Sequence, residues 1–541
     1  MVFERVRIFF GKILRPGAVW AVISGAITAA AAMYSHTAWL AWISLIPYFM
    51  TLYQYTEPEG GKRHLFGIGF LFGCGYYLPL FSFFYTLYPM DFAGLSPQSS
   101  VFFILLAQFG LSALYSLAHG FLPCILRLQR KRGAWGRWPL LLPLSIAALW
   151  VLIEWSQAQT WMGVPWGRLA VSQYRLTPLI QSASLLGSYF ISFLLVLFNA
   201  LLAHYLYQRF VLKDAAVKRC REILCLVCAA TLFSGNLLYG VITLNIEQKP
   251  VETISAAIVQ GNISSSKKWE ENGVDIAAEL YLRMTRELSE DGETDLIVWN
   301  ETCIPVALNK YPALMRQIQE TAMECNAVIL VGSFYEDETD EYNGIYAFYP
   351  DGTVGSQPYF KRRLVPFGEY MPLPAFLQSV IPVLDEINLL ESSLTPGTDS
   401  NVFSTDFGMI GGLICFDSIY ETLALSSVRD GAGLLALLTN DSWYDNSPAV
   451  YEHLGHAALR AVENGRYMVR GANTGISAVI DSNGRIKIES HPQTEEVIRG
   501  EVDIYSHRTL YSYVGNILVL LCLIYVVVLF IPFRKKSKFK R

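Results

Sequence analysis

Seven long apolar stretches crowd the first 243 residues of this chain, an eighth lies near its end, and the 270 residues between are polar. The stretches fall near 17–34, 38–55, 65–87, 101–126, 139–155, 179–207 and 223–243, with the last at 514–532. A helix of about 20 mostly apolar residues crosses a bilayer. Charged residues make up only 16% of the chain, against about 25% in an ordinary soluble domain. This excludes a wholly soluble, disordered or collagen-like protein. It predicts a polytopic α-helical membrane domain of about eight spans: seven over 1–243, and the last, with a basic tail, over 514–541. A separate domain is expected over 244–513.

The net charge of −4 conceals a division. Residues 244–513 hold 18 Lys and Arg against 39 Asp and Glu, a net of −21, while the remainder holds 24 basic and 7 acidic residues, a net of +17. Cytoplasmic loops carry the Lys and Arg excess. With the N-terminus inside, the inside segments hold 22 basic residues, whereas the short outside loops hold only Arg168 and Arg175. Both termini are therefore expected in the cytoplasm, with the acidic domain on the extracytoplasmic side of the membrane. Ala30 and Ala32 resemble a signal-peptidase site, but the run is span-length and further spans follow, so it reads as a retained helix. Of nine cysteines, six lie in or beside spans, where a thiol acts as a small hydrophobe. Cys303, Cys325 and Cys415 belong to the acidic domain, and three leave at least one unpaired.

In that domain, strand-like runs (253–260, 295–299, 327–332, 344–349, 409–414, 433–439, 476–481, 497–503) alternate with helical ones (274–288, 311–325, 419–429, 450–464). Such alternation implies an α/β layered domain. That domain contains no GxGxxG, P-loop, CxxC or HExxH pattern, so neither cofactor nor metal is expected. The acidic balance argues against nucleic acid, which needs a basic footprint.

Three positions carry chemistry. Glu301 follows the apolar run Leu296–Trp299, Lys361 opens Lys361-Arg362-Arg363, and Cys415 ends the run Gly411–Ile414. Sites in open α/β sheets gather beyond the carboxyl ends of strands. A thiol needs a base because the thiolate attacks. A carboxylate beside a lysine can take that proton while the ammonium steadies an oxyanion, and the N–H of Phe416 offers a second donor. Each residue alone has an ordinary reading: a core thiol, a loop carboxylate, a basic patch facing lipid headgroups.

Together these segments resemble the carbon–nitrogen hydrolase (nitrilase) superfamily. The supporting motifs are Val259-Gln260-Gly261-Asn262-Ile263 with Lys268-Trp269, Leu364 to Pro372, Asn440-Asp441-Ser442-Trp443-Tyr444, Arg460 to Arg466 and Asn473 to Ser477. With the spans and the loop Gly163-Val164-Pro165-Trp166, the whole chain resembles that superfamily's membrane-bound branch, the apolipoprotein N-acyltransferases. The resemblance implies an extracytoplasmic α-β-β-α sandwich in the bacterial inner membrane. It implies Glu301 as general base, Lys361 as oxyanion stabiliser and Cys415 as nucleophile. Glu369 matches a further carboxylate near the lysine, and Trp269 a tryptophan on a mobile arm at the mouth of the site. The implied reaction moves a fatty acyl chain from the sn-1 position of a phospholipid to Cys415 as a thioester. The chain then passes to the N-terminal amine of a diacylglyceryl-cysteine apolipoprotein.

The family's usual Cys-Tyr-Glu reads Cys415-Phe416-Asp417 here, which leaves the supporting or gating role of Phe416 and Asp417 open. Asn300 stands where a proline is usual. Cys303, close by, is a competing thiol, but the family pattern places none there. The apolar stretch from Pro366 to Pro396 reads either as core or as a lid dipping into the outer leaflet, and Trp443 and Tyr444 suit the interface. The partners expected are a phospholipid donor and a lipoprotein acceptor, with the protein a monomer. An amidase or lipid hydrolase using the same triad is the alternative. A transporter would need broken helices and pseudo-repeats, which the sequence lacks.

Overall fold

The computed structural model describes residues 17–56, 64–90, 94–132, 140–160, 163–211, 219–290, 292–373 and 393–531. Apolar helices form the first half: α1 (Gly17–Met33), α2 (Ile46–Thr56), α3 (Leu65–Leu80), α4 (Pro97–Lys131), α5 (Leu141–Ser156), α6 (Ser188–Phe210) and α7 (Arg219–Leu244). Among the described residues, four helical segments are long and apolar enough to cross a membrane: Leu65–Leu87, Pro97–Lys131, Ser188–Phe210 and Ile223–Leu244. The apolar helices at Gly17–Met33, Leu141–Ser156 and Ile517–Val528 are shorter. The second apolar run is split between a 3₁₀ segment at Ser35–Trp42 and α2. Small residues let the helices close on one another. A Cβ on Gly25 of α1 would lie 2.3 Å from the Phe72 carbonyl of α3, and one on Gly69 of α3 would lie 2.1 Å from the His119 carbonyl of α4. Near its end α3 contains Pro79, which removes an i→i−4 hydrogen bond. The chain continues as a 3₁₀ turn, Phe81–Leu87.

The acidic half is a sandwich of two sheets. Its strands are β1 (Glu252–Gln260), β2 (Leu296–Val298), β3 (Ile304–Ala307), β4 (Val328–Glu336), β5 (Glu341–Phe348), β6 (Tyr359–Phe360), β7 (Val402–Thr405), β8 (Gly408–Ile414), β9 (Leu434–Thr439), β10 (Met468–Ala472), β11 (Ala478–Ile480), β12 (Ile486–Glu489) and β13 (Glu496–Ile504). One sheet runs β13-β1-β2-β4-β5-β6, with β3 on β4, and the other runs β12-β11-β10-β9-β8-β7. In each, the central strands are parallel: β1, β2 and β4 in the first, β8, β9 and β10 in the second. The longer helices of this half are α8 (Gly273–Glu290), α9 (Pro312–Cys325), α10 (Glu421–Arg429) and α11 (Pro448–Asn464), and the apolar α12 (Ile517–Val528) follows towards the end of the chain.

Three apolar layers hold the sandwich. Ile258, Val298 and Leu330 meet Ile414, Leu434 and Ala436 between the sheets. Ala277, Tyr281 and Ile318 cover the first sheet outside. Ala424, Leu454 and Ala457 cover the second. This is the α-β-β-α arrangement.

Each of the eight expected strands and four expected helices of this half has a counterpart. Five strands were not anticipated: β3, β6, β7, β10 and β12. β10 reads Met-Val-Arg-Gly-Ala, and its buried Arg470 breaks the apolar pattern that marks a central strand.

Candidate active site

The parallel strands of both sheets end at one place. Glu301 lies three residues past β2, Cys415 directly follows β8, Asn440 directly follows β9, and Asn473 directly follows β10. Lys361 follows β6, at the edge of the first sheet. Two turn residues here have left-handed backbone, Thr302 at φ +44° and Cys415 at φ +45°. Non-glycine residues rarely adopt it, and the cost is of order 1–3 kcal/mol unless the surroundings hold it.

Glu301, Lys361 and Cys415 are all buried, at 6%, 2% and 6% exposure. Lys361 Nζ lies 2.9 Å from Glu301 Oε1 and 2.9 Å from the Glu369 carboxylate. One ammonium thus serves two carboxylates, and neutral donors make up the shortfall. The Asn343 amide donates to Glu301 Oε1 at 2.9 Å and to Glu369 Oε1 at 3.0 Å. The Asn440 N–H donates to Glu301 Oε2 at 2.9 Å, and the Val365 N–H to Glu369 Oε2 at 2.8 Å. Burial alone would lower the Lys361 ammonium, but Glu301 and Glu369 outweigh it and hold it well above the ordinary lysine range. Burial, then the Glu301 charge, raises the Cys415 thiol, with Lys361 pulling the other way. This balance favours the protonated thiol at Cys415.

Beneath Cys415 lies a second polar group. His453 bridges Asp441 (Nδ1, 2.8 Å) and the Cys415 carbonyl (Nε2, 3.2 Å), and Asp441 is paired with Arg470. Burial opposes the Asp441 carboxylate, but Arg470 and His453 prevail and hold it at about 2. Asp417 does not face this cluster. Its Oδ2 accepts from the Ile414 N–H (3.1 Å) and the Tyr359 hydroxyl (2.8 Å), and its Oδ1 from the N–H groups of Arg362 (3.2 Å) and Arg363 (2.8 Å). Phe416 turns toward the apolar helices, stacking edge-on with Tyr420.

Trp269 is 60% exposed and Trp443 40%. The Trp443 carbonyl accepts the Thr86 hydroxyl at 2.8 Å, so its loop rests on the 3₁₀ turn above α3. Phe367 and Leu373, at the start of the expected lid, are exposed, and residues 374–392 lie outside the described residues. Cys303 is buried against the Gly332 carbonyl, where burial pushes its thiol up to about 12.

The family profile for Carbon-nitrogen hydrolase matches residues 255–510, and that for the Apolipoprotein N-acyltransferase N-terminal domain matches residues 24–201. The apolipoprotein N-acyltransferase of Geobacter metallireducens is 31% identical over 99% of this chain and 99% of its own. That of Pseudomonas syringae pv. tomato is 33% identical over 68% of this chain and 71% of its own. The chain belongs to the apolipoprotein N-acyltransferase family. Among solved structures, Saccharomyces cerevisiae Nit3, of the nitrilase superfamily, overlaps at a TM-score of 0.36 and 20% identity, over 55% of this chain and 100% of that one.

In this family member the two matched regions meet through the loop between α5 and α6. The Glu452 carboxylate accepts the Gly167 N–H at 2.6 Å, and the Tyr420 hydroxyl donates to the Gly163 carbonyl. Trp166 packs against Tyr444, His453 and Phe83. Arg168 is fully buried, 2.9 Å from Glu421, and Arg175 pairs with Glu489 at 2.8 Å. The two basic residues expected in outside loops are therefore each matched to an acid of the sandwich. Glu463 clasps Arg460 and accepts the Ser188 N–H at the start of α6. Sequence reasoning missed Asn343, His453 and Arg470 as site-building residues. His453 lay within an expected helix and Arg470 near the Arg460–Arg466 motif, but no local spacing joins either to Cys415.

Proposed function

We propose that this acyltransferase works through Glu301 as general base, Lys361 as oxyanion stabiliser and Cys415 as nucleophile. Its activity is the N-acylation of lipoproteins. The observation that carries the assignment is the buried Glu301–Lys361–Glu369 cluster beside Cys415, at the strand ends of a sandwich seated on apolar helices.

In the first half-reaction Glu301 takes the Cys415 proton as sulfur attacks the sn-1 ester carbonyl of a phospholipid such as phosphatidylethanolamine. The tetrahedral oxyanion is held by Lys361, with the Phe416 N–H as second donor; losing one such donor typically costs about 3–4 kcal/mol. The C–O bond breaks, Glu301 returns the proton to the departing glycerol oxygen, and a thioester remains. In the second, the N-terminal amine of a diacylglyceryl-cysteine apolipoprotein attacks the thioester, the C–S bond breaks, and the amine's proton passes through Glu301 back to sulfur. No metal or cofactor takes part. A covalent intermediate implies ping-pong kinetics. Glu369 keeps Lys361 charged and aimed. Trp269, Phe416, Asp417 and Trp443 support or gate substrate entry.

For the architecture we propose eight spans: seven over 1–243, the catalytic domain over 244–513 on the extracytoplasmic side, and the last span with a basic tail over 514–541. Both termini are cytoplasmic and the protein is a monomer in the bacterial inner membrane.

The test supplies purified protein with phospholipid and a diacylglyceryl lipopeptide. N-acylated peptide is expected, with an acyl adduct on Cys415 that C415S abolishes. Free fatty acid without acylated peptide would indicate a hydrolase, and a thioester persisting on Cys303 in C415S would overturn the site.

A further inference from the structure

Lys268 and Trp269 are neighbours in the chain but face opposite ways. Trp269 is 60% exposed, while Lys268 is 4% exposed. The buried ammonium donates to the Thr302 hydroxyl and lies 3.5 Å from the carbonyl oxygen of Glu301. Thr302 is the residue held at φ +44° directly after Glu301. The same short segment reaches the other side of the site, where the Ser265 hydroxyl meets that of Ser442 at 3.0 Å. Its root is pinned by Asn473, whose side chain accepts the Ile263 N–H at 3.0 Å and donates to the Ile263 carbonyl at 2.7 Å.

We propose that Lys268 is a positioning residue: it clamps the Glu301–Thr302 turn and so ties the aim of the general base to the seating of the segment that carries Trp269. This rests on the reading of Glu301 as the base.

The physical argument is one of over-determination. A left-handed Thr302 persists only if its surroundings hold it, and the Lys268 ammonium meets that turn at the Thr302 hydroxyl and the Glu301 carbonyl oxygen. The carboxylate end of Glu301 is fixed by Lys361, Asn343 and Asn440; the backbone end is fixed by Lys268. Substrate packing on the exposed indole presses on the same segment and seats the clamp. A buried ammonium also makes the clamp sensitive to pH. Burial lowers Lys268 to about 8, against the opposing pull of Glu301 and Cys303, the titratable groups that face it.

The test measures single-turnover formation of the acyl-enzyme by intact mass, using detergent micelles containing phosphatidylethanolamine. The series runs from about pH 6 to about pH 10, spanning the lysine range, with the wild type, K268M, K268R and E301Q. Misplacing a reacting group by about 1 Å costs about 100-fold, so K268M is expected to acylate about 10- to 100-fold more slowly at neutral pH, with little change in phospholipid KM. The wild-type rate should fall above about pH 8. K268M should lack that limb, and K268R, whose charge does not titrate, should restore the rate and hold it to higher pH. A folded K268M with wild-type rate and profile overturns the clamp. So does a K268M that is slow but keeps the basic limb unchanged. If E301Q itself acylates normally, the base assignment fails instead.

Discussion

The Asp417 carboxylate, two residues past Cys415, accepts the backbone N–H of Arg363, two residues past Lys361, at 2.8 Å. Its other oxygen accepts the N–H of Ile414, directly before Cys415. One buried carboxylate therefore fixes the turn that presents the thiol to the strand end that presents the ammonium, although the two belong to different sheets.

Replacing Asp417 should consequently damage both fold and rate. D417A leaves buried N–H groups and a tyrosine hydroxyl without an acceptor, each costing about 1–3 kcal/mol. The expected result is a loss of about 3 kcal/mol or more in denaturant unfolding, with slower acyl-enzyme formation. D417N, which keeps one carbonyl acceptor, should fall between. A D417A of wild-type stability would show that the carboxylate is not a tie.

Asn343 is the neutral donor shared by Glu301 and Glu369. N343D would set a third carboxylate against a single ammonium, whereas N343A merely removes a donor. N343A should slow acylation about 10- to 100-fold, the equivalent of about 1–3 kcal/mol, and N343D should be worse at pH 7. On lowering the pH, N343D should recover relative to N343A as the added acid protonates. Identical pH profiles for the two variants would contradict the charge argument.

The Arg168–Glu421 pair joins the α5–α6 loop to the sandwich at 2.9 Å with both side chains buried. Removing one partner of a buried pair costs about 3–5 kcal/mol, while replacing both with apolar groups is often near neutral. R168M and E421M should each lower the unfolding midpoint, and the double variant should recover much of the loss. Additive losses would mean the two charges do not act as a pair.

Stability should also fall in acid over a defined window. Burial opposes the Asp441 and Glu421 carboxylates, but Arg470 and His453 for the first, and Arg168 and Arg460 for the second, hold both at about 2. A carboxylate whose folded pKa is depressed contributes stability that is complete above its unfolded value and is lost as pH falls through the folded one. The loss should therefore develop between about pH 4 and about pH 2. Unfolding followed across that range should steepen in the wild type and flatten in D441N. Equal slopes would remove Asp441 from the account.

Much of this protein was legible before any tertiary contact was considered. Unbroken apolar runs marked the helices, because a segment facing lipid or packed helices on all sides has no polar face to interrupt it. Buried strands such as Leu296–Val298, Gly408–Ile414 and Leu434–Thr439 announced themselves in the same way. Glu301 and Cys415 stood out because a reactive side chain directly after such a run falls where strand ends open. β10 was not legible, since the buried charge of Arg470 is balanced there by Asp441, 29 residues away.

The sequence by itself determined the division into an apolar, basic part and an acidic α/β part, and the candidate chemistry of Glu301, Lys361 and Cys415. These are properties of composition and of short-range period. Only the tertiary structure decided that Asp417 is a tie, that Asn343 balances two carboxylates, that Lys268 reaches the Glu301 turn, and that Arg168 and Arg175 are spoken for by Glu421 and Glu489. Each of these joins residues with no fixed spacing in the chain, and a buried charge has meaning only through the partner that the fold brings to it.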